Sequence, residues 1–587
     1  MSGVATAATM YPNEVLTVEK DKTVTWTNYD NMQNGDAASP LVKDGEGTLR
    51  FEKVQGSRSN YYTAPLVARE GKVEVVDSTM YAHGAYVPGP LVTTWIMVGG
   101  KNAEMSFTNS SFNIVIGETH MNVGTADGNG TLSLDKTNMK ITGSVFTGYH
   151  SYANNEDSWG LGYYYNMNGT AATDDIPAEE QNCKGLTHRY TEGNYVAGYN
   201  GHSRKFGEGA INVTNGSTLD VATAFSMGYA TLNVSGKGSL VKTQTGYGGI
   251  VQDDSEYVDT YAVTLGRWSG AESKISITDG ARMEMDGQLR TVRSSGLVNT
   301  KSTVEVSGKG SELMVKATAN LGIYNTSGKN TTTVKAVLGG TLNFAKAVLG
   351  YDVDMSIGEG SFYNGTSLHM KSDSVMVTNS GLMTVESVLV EGGLLTNSGT
   401  IAGDITVDGG TFTMENGAVA AGLTATSGTI NLSGNVTFTG AVNLGSVVAA
   451  DPMLAALSGS ESDTLTVYIA KDTNIVLDDS ILSVDGQQFV VGDNTEIIVD
   501  LGNVAYAEGT PLFTLTGSNG TQLTNTAAAL EDKMTVTWKD EYGATQSVSG
   551  ATADMSGSIT TNTVPEPTTA TLSLLALAGL CARRRRK

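Results

Sequence analysis

The densest group of residues that could carry out chemistry lies between residues 146 and 205. This stretch holds acid pairs, aromatic side chains and three of the six histidines. Paired carboxylates can serve as the acid and base of glycoside cleavage, and aromatic rings offer flat apolar faces to a ligand. In a chain with 60 acids such pairs also arise by chance, so a polar surface loop is the favoured interpretation. The candidates are the acids Glu156, Asp157, Asp174, Asp175, Glu179 and Glu180, the histidines His150, His188 and His202, and the ligand-binding aromatics Trp159, Tyr163, Tyr164 and Tyr165.

Motifs that would mark a known catalytic or metal site are missing from the sequence. It has no phosphate-binding loop, HExxH, EF-hand, glycine-rich calcium repeat or GxSxG elbow. Two cysteines, Cys183 and Cys581, cannot form a disulfide framework. Cys183 lies five residues before His188, but an incidental loop cysteine is favoured over a catalytic or metal-binding one. We therefore expect a protein that is not an enzyme, with no catalytic residues, metal site or cofactor.

The charge of the chain restricts its partners. The formal net charge is −23, and five of the cations are consecutive at residues 583–587. The rest of the chain sets 32 Lys and Arg against 60 acids, so it repels nucleic acid and anionic membranes. This balance is typical of a soluble extracellular protein and predicts no nucleic-acid partner.

A short pattern recurs along most of the chain: an alternating apolar strand, a small-residue turn, and a further apolar residue. It occurs as "INVTNGSTL" from Ile211, "LNVSGKGSL" from Leu232, "ISITDGARM" from Ile275 and "VEVSGKGSEL" from Val304. Alternation places the apolar side chains on one strand face, and the Asn-Gly, Asp-Gly and Gly-Lys-Gly pieces supply the positive φ of tight turns. Helical periodicity is almost absent before residue 568.

The spacing of this pattern favours stacked coils. Val213 and Val234 are 21 residues apart, Ile277 follows 43 later, about two such steps, and Val306 follows 29 after that. Coils of about 20-odd residues belong to the solenoid range. From about residue 380 the repeats shorten, and small residues and Asn predict narrow coils with stacked polar ladders. A string of separate β-sandwiches is the alternative, but no Pro- or Ser-rich linkers separate the repeats.

We therefore predict an all-β fold: a right-handed parallel β-helix followed by a small C-terminal β-sandwich and a single C-terminal hydrophobic helix. The predicted parts are an N-terminal cap region at 1–69, a solenoid at 70–450 with a large insertion at 146–205, a β-sandwich cap at 451–560 and a tail at 561–587. The sandwich would cover the open end of the solenoid, where exposed strand edges invite aggregation.

The tail has three parts in a fixed order. A proline bracket comes first, then a short uncharged run from Ala570 to Ala582, and then a block of cations. The run is marginal for a membrane span, which needs about 20 residues, but the cations would hold the end on the cytoplasmic side. The bracket is Val564, Pro565, Glu566 and Pro567; the apolar run includes Ala570, Leu572, Leu574, Leu575, Leu577 and Leu580; the block is Arg583, Arg584, Arg585, Arg586 and Lys587.

This order resembles the PEP-CTERM sorting signal of Gram-negative bacteria. The resemblance covers about the last 24 residues and implies export by the general secretory route. It further implies recognition by a membrane-embedded exosortase-type processing enzyme, which removes the tail after transient inner-membrane anchoring. The family is associated with exopolysaccharide, biofilm and envelope structures. The body resembles the passenger-like β-helix proteins that often carry such tails.

The function expected from these features is that of an exported, cell-surface or extracellular-matrix solenoid with a structural or carbohydrate-binding, adhesive role. An extracellular polysaccharide is its expected ligand, and contact with the membrane is expected only through the tail. The alternative is a carbohydrate-active β-helix enzyme, a polysaccharide lyase or glycosidase, using residues 146–205. An autotransporter is rejected because 451–560 is too short for its membrane barrel. Residues 1–20 contain no export signal, so we expect the precursor to start upstream.

Overall fold

A computed structural model shows two compact units, Met1–Val375 (unit 1) and Met376–Lys587 (unit 2). Among the residues that it describes there is no α-helix, and hence none that could span a membrane. The all-β class is confirmed; the predicted C-terminal helix lies outside the described residues. The described residues are 15–28, 41–59, 61, 66–82, 94–115, 120–124, 129–148, 182–183, 186–187, 196–197, 203–204, 208–244, 261–266, 270–292, 297–323, 330–445, 465–477, 489–491, 494–501, 511–517, 533–539, 542–549, 551–553 and 558–561.

The strands of unit 1 are short and follow the alternating segments of the sequence. They are β1 Val15–Thr17, β2 Thr23–Trp26, β3 Leu41–Asp44, β4 Thr48–Glu52, β5 Leu66–Val76, β6 Thr79–Ala82, β7 Thr94–Thr108, β8 Ser111–Ile114, β9 His120–Val123, β10 Gly130–Asp135, β11 Asn138–Ile141, β12 Val145–Thr147, β13 Asn182–Cys183, β14 Leu186–Thr187, β15 Val196–Ala197, β16 Ser203–Arg204, β17 Gly209–Thr214, β18 Thr218–Val221, β19 Phe225–Met227, β20 Ala230–Ser235, β21 Leu240–Thr243, β22 Tyr261–Leu265, β23 Glu272–Thr278, β24 Arg282–Met285, β25 Gln288–Thr291, β26 Lys301–Ser307, β27 Glu312–Leu321, β28 Thr331–Val337, β29 Thr341–Leu349, β30 Val353–Ile357 and β31 Phe362–Met370.

The strands of unit 2 continue in the same style up to Thr561. They are β32 Met376–Asn379, β33 Leu382–Val390, β34 Leu394–Asn397, β35 Thr400–Met414, β36 Val419–Ala420, β37 Leu423–Leu432, β38 Asn435–Phe438, β39 Val442–Leu444, β40 Leu465–Ala470, β41 Thr473–Leu477, β42 Phe489–Val491, β43 Thr495–Asp500, β44 Pro511–Gly517, β45 Met534–Lys539, β46 Thr545–Ser549, β47 Ala551–Ala553 and β48 Ser558–Thr561.

In unit 1 the chain winds through three parallel ladders in turn. One ladder contains β10, β17, β20, β23, β26 and β28. The second contains β11, β18, β21 and β24, and the third β12, β19, β22 and β25. Each coil therefore adds one strand to every ladder, as in a β-solenoid, and its inward side chains are buried only once coils stack.

The register tests the repeat spacing residue by residue. Val213 pairs with Val234, and Ile277 pairs with Val306, so these spacings are confirmed as single coils. Val234, however, pairs directly with Ile277. The 43-residue spacing is thus one coil and not about two, because 17 residues, 244–260, lie between the end of β21 and the start of β22.

Coils are shorter in unit 2, as the tightened repeats predict. Asn212 and Asn233, which hydrogen bond between adjacent coils of unit 1, are 21 residues apart, whereas Asn379 and Asn397 near the start of unit 2 are 18 apart. The predicted asparagine ladder is present: the fully buried Asn379 donates from Nδ2 to Oδ1 of the equally buried Asn397 at 2.8 Å. A stacked amide pair satisfies buried polar groups that narrow coils cannot expose to water.

The pairing corrects the predicted β-sandwich at 451–560. β40 pairs in parallel with β37 and β43, and β41 pairs in parallel with β38 and β44, so these strands extend the ladder of unit 2. Among the strands described in unit 2, antiparallel pairing is confined to β44–β48, β45–β46 and β47–β48. Alternation in a sequence does not show whether a strand's partner is parallel, so the long alternating strands were compatible with either arrangement.

The regions predicted as cap and insertion are also joined to the ladder of unit 1. β1 pairs with β3, and β3 with β5, so the parallel pairing already includes strands of the predicted cap region 1–69. β10 pairs with β17 across the predicted insertion, although Val145–Thr147 still belongs to a ladder strand. Within 149–207 the described strands form two short antiparallel pairs, β13–β14 and β15–β16.

The interior of each unit is formed by the alternate, inward side chains of the ladder strands. Val213, Val234 and Ile277 are each fully buried, and full burial of such a side chain stabilises by about 1.5–3 kcal/mol. Aromatic rings fill the wider coils: Phe344 and Tyr363 meet edge to face with centroids 6.0 Å apart. Stacking of apolar rows thus provides the common core of successive coils.

Candidate functional site

The outward rows of unit 1 carry opposite charges on adjacent coils. Lys140, Asp220, Lys242 and Glu284 follow one another in register, and Lys242 lies 3.9 Å from Glu284. Other pairs across coils are Arg282–Glu312 at 2.6 Å, Lys274–Glu305 at 3.4 Å and Lys72–Glu104 at 3.0 Å. Opposite charges at facing positions stabilise pairing modestly, whereas like charges oppose it. Each of these four ion pairs therefore joins a cation of unit 1 to an acid of the neighbouring coil.

Two outward rows of unit 2 are uncharged and rich in hydroxyl groups up to β40; the next strand, β43, adds Glu496 to the first row and Ile498 to the second. One row runs Met376, Leu394, Thr411, Thr429 and Thr466 in register. Strands are about 4.8 Å apart, so this row places a threonine at each step of the ladder over three strands. A second row, two residues further along each strand, includes a partly exposed tyrosine on β40; its members up to that strand are Thr378, Thr396, Thr413, Asn431 and Tyr468.

A ladder of buried hydroxyl groups connects the first turn of successive coils in unit 1. In each link a backbone N–H of one coil donates to the Ser or Thr hydroxyl of the next coil. The four links from Val54 to Ser217 are buried, so each satisfies an amide that would otherwise lack an acceptor, and the three links from glycine amides are partly buried. The links are Val54 to Ser78 (3.0 Å), Ser78 to Ser110 (3.1 Å), Ser110 to Thr137 (3.3 Å), Thr137 to Ser217 (3.0 Å), Gly216 to Ser239 (3.0 Å), Gly280 to Ser311 (3.0 Å) and Gly339 to Ser361 (3.1 Å).

Turn geometry places these hydroxyl groups. The backbone reverses at Asn215 and Gly216, which have φ of 55° and 83°, and Ser217 then enters the coil fully buried. Its hydroxyl donates to the carbonyl of Thr214 at 2.6 Å while it accepts from the preceding coil. From their sequence these segments are predicted only as turns. The available signal was the Ser or Thr that follows the turn residues in "TNGS", "SGKGS" and "DKT".

A buried cation lies where β3 turns toward β4. Lys43 is fully buried, and its Nζ donates to the backbone carbonyls of Gly45, Gly47 and Glu70. Burial lowers the pKa of Lys43 to about 8, although the charges of the Asp44 and Glu70 carboxylates act in the opposite direction. Three converging carbonyls use all three N–H donors of an ammonium group.

Beside Lys43, Asp44 forms an ion pair with Arg69 across adjacent coils. Burial alone would raise the pKa of Asp44, but the hydrogen bond and charge of Arg69 outweigh it and lower that pKa. Together these groups join β3 to β5 through polar contacts at a coil edge.

The C-terminal strands place the beginning of the tail. β44 pairs in parallel with β41 on one edge and antiparallel with β48 on the other. β45 likewise pairs in parallel with β43 and antiparallel with β46. β48 ends at Thr561, so the sequence of the tail begins directly after a strand that pairs with β44.

Most residues that the sequence analysis singled out lie outside the described residues. These are the aromatic candidates Trp159 and Tyr163–Tyr165, the acids and histidines of 146–205, and the whole tail from Val564 to Lys587. Cys183 belongs to β13. In the described part of the chain no three His, Cys, Asp or Glu side chains converge in a way that could hold a metal ion.

Comparison with known proteins identifies the tail. A family model described as "PEP-CTERM protein-sorting motif" matches residues 563–587. No curated protein and no solved structure matches the chain. The match includes the proline bracket, the apolar run and the cations in the order from which the resemblance was inferred. The chain therefore carries a PEP-CTERM protein-sorting motif at residues 563–587.

Proposed function

We propose that this protein is a surface or matrix solenoid that binds neutral extracellular polysaccharide and is not itself an enzyme. The observation that carries the proposal is the sorting motif at 563–587, which implies export to the cell surface or extracellular space and processing by an exosortase. Before processing, the apolar run anchors the chain transiently in the inner membrane, and the cations at 583–587 hold its end in the cytoplasm.

The outer faces of the coils support a neutral ligand. In unit 1 Lys72, Lys242, Lys274 and Arg282 are paired with acids of adjacent coils, and the whole chain carries a net charge of −23. An acidic polymer would be repelled by this excess charge. In unit 2 the rows of Thr411, Thr429 and Thr466 present hydroxyl groups that donate and accept, and Tyr468 offers an exposed ring beside them.

The first experiment tests the tail. The full chain is produced in its exporting host and the mature surface protein is measured by intact mass. We expect a species without Arg586 and Lys587, whereas a mature species that retains them would refute processing. Changing Pro565, Glu566 and Pro567 to Ala should leave uncut precursor in the membrane. The matched control changes Thr568 and Thr569 to Ala and should be processed normally.

The second experiment tests the ligand and the absence of catalysis together. Neutral and acidic glycans are presented on an array, and the same polymers are incubated with the protein and assayed for new reducing ends. We expect binding to neutral glycans that weakens when Thr411, Thr429 and Tyr468 are replaced by Ala, with no new reducing ends. Turnover that is lost on changing Glu156 or Asp157 would instead establish the carbohydrate-active enzyme.

A further inference from the structure

The last two strands that the structure describes form a small unit that we name the C-terminal clasp, Ala551–Ala553 and Ser558–Thr561. β48 pairs antiparallel with β44 on one side and with β47 on the other. Ile559 of β48 is almost fully buried and faces Phe513 in register. Among the described strands, β47 pairs only with β48, so the clasp is joined to the ladder of unit 2 through β44.

The clasp leaves little chain between the folded body and the sorting motif. Pro565 follows Thr561 by four residues, and an extended chain spans at most about 3.3–3.6 Å per residue. The bracket is therefore tethered within about 14 Å of the end of β48. If β48 leaves both β44 and β47, the nearest paired strand is β46, which ends at Ser549, and the reach grows to about 55 Å.

We propose that an exosortase-type enzyme acts on the tail only when the clasp has detached from β44, so that the clasp controls access to the sorting motif. This inference rests on the proposed function. An enzyme embedded in the membrane must bind the bracket close to the bilayer surface, and a tether of about 14 Å would bring the stacked coils against both enzyme and bilayer. Detachment removes that obstruction and leaves β44 paired with β41.

The clasp is small enough to open while the coils stay folded. Its attachment to β44 comprises one short antiparallel pairing, and Ile559 is its one side chain shown to be buried among those described. Local openings of this kind occupy the low end of the range of opening free energies in a protein. The parallel ladders need not open, because β44 is also held by β41.

A disulfide across the clasp tests the inference directly. Thr514 and Ser558 are register partners of β44 and β48, and facing residues in paired strands lie within the Cα distances that a disulfide allows. The matched control joins Thr535 to Ser549, which locks β45 to β46 without touching β48. Both pairs are changed to Cys in the full chain carrying Cys183→Ser and Cys581→Ser, and tail removal is followed in the exporting host by intact mass.

We expect the control to lose its tail at the rate of the background chain. The Thr514–Ser558 lock should slow tail removal at least tenfold, and a reductant should restore it. Inserting eight Gly and Ser residues after Asn562 should also restore processing of the locked chain, because the insert supplies the missing reach. The variant Ile559→Ser, which weakens the clasp without a lock, should be processed several times faster.

The outcomes separate the two proposals. If the locked chain loses its tail at the control rate, the clasp does not control access. If it is slow but the insert fails to rescue it, reach is not the cause and the inference is equally overturned. If the background chain itself keeps its tail, the proposed processing is wrong, and the clasp proposal fails with it.

Discussion

Removing one hydroxyl group from the buried ladder should weaken the contact between two coils by a predictable amount. In the variant Ser217→Ala, the amide of Thr137 loses its acceptor at 3.0 Å. The carbonyl of Thr214 keeps a partner, because the backbone N–H of residue 217 also donates to it at 3.1 Å. The loss is therefore that of one buried donor left unsatisfied, about 1–3 kcal/mol. A cavity contribution is small because only one oxygen atom is removed.

Native-state hydrogen exchange measures this loss at the affected amide. Exchange of the Thr137 amide should accelerate about 5- to 150-fold, the equivalent of 1–3 kcal/mol, and the urea midpoint should fall. The control is Ser235→Ala, whose hydroxyl donates to Asp279 at an exposed site where water can replace it. Its effect should stay within about 0.5 kcal/mol. Equal exchange rates at Thr137 in the two variants would refute the stabilising role of the ladder.

Four further substitutions test other buried groups. Between pH about 8 and 10.5 the unfolded chain carries a proton on Lys43 that the folded chain has lost. The free energy of unfolding of the wild type, measured in urea relative to that of Lys43→Met, should therefore rise with pH in this range. A fall would contradict the lowered pKa of Lys43. Ala281 is fully buried at a position of the hydroxyl ladder that lacks a hydroxyl group, so Ala281→Ser should stabilise the protein by about 0.5–1.5 kcal/mol. Gly340→Ser should instead destabilise it strongly, because the new Cβ would lie 2.2 Å from the Val306 carbonyl oxygen. Equal melting temperatures of the two variants would contradict both expectations. The Tyr363 hydroxyl is buried with no hydrogen-bond partner among the described residues, so Tyr363→Phe should stabilise the protein by about 1 kcal/mol. Because burial raises the pKa of Tyr363, its phenolate should be missing from ultraviolet titrations of the folded protein. A less stable variant would point to a partner for the hydroxyl.

The fold was predictable where the information is local. Alternation and turn residues identified Val213 and Val234 as equivalent positions, and the structure pairs them. The tail was recognisable for the same reason, since its three parts are contiguous in sequence. By contrast, the prediction that Val234 and Ile277 are about two coils apart was wrong, because the 17 residues between β21 and β22 lengthen one coil without changing the strand pattern.

What escaped prediction depends on partners that lie a coil or more away. β40 alternates as a sandwich strand would, and only its pairing with β37 and β43 shows that it belongs to a parallel ladder. Ser217 looks like an ordinary turn residue until the amide of Thr137, 80 residues earlier, is found beside it. The candidate site was predicted at the tail, whereas the clasp that precedes it depends on antiparallel pairing, which alternation does not encode.

The hydroxyl ladder also has a direction. In each described link the amide donor belongs to the earlier coil and the acceptor to the later one, as in Ser78 to Ser110 and Gly216 to Ser239. A chain threaded outward from its N terminus would therefore receive, with every newly emerged coil, the acceptor that its predecessor lacks. If the first coil were lost, the hydroxyl group of the next coil would still donate within its own turn. If the chain stopped partway, the amide of its last coil would lack the hydroxyl acceptor that the following coil supplies. Assembly of such a stack favours forward motion, so folding outside the membrane would hinder the chain from sliding back.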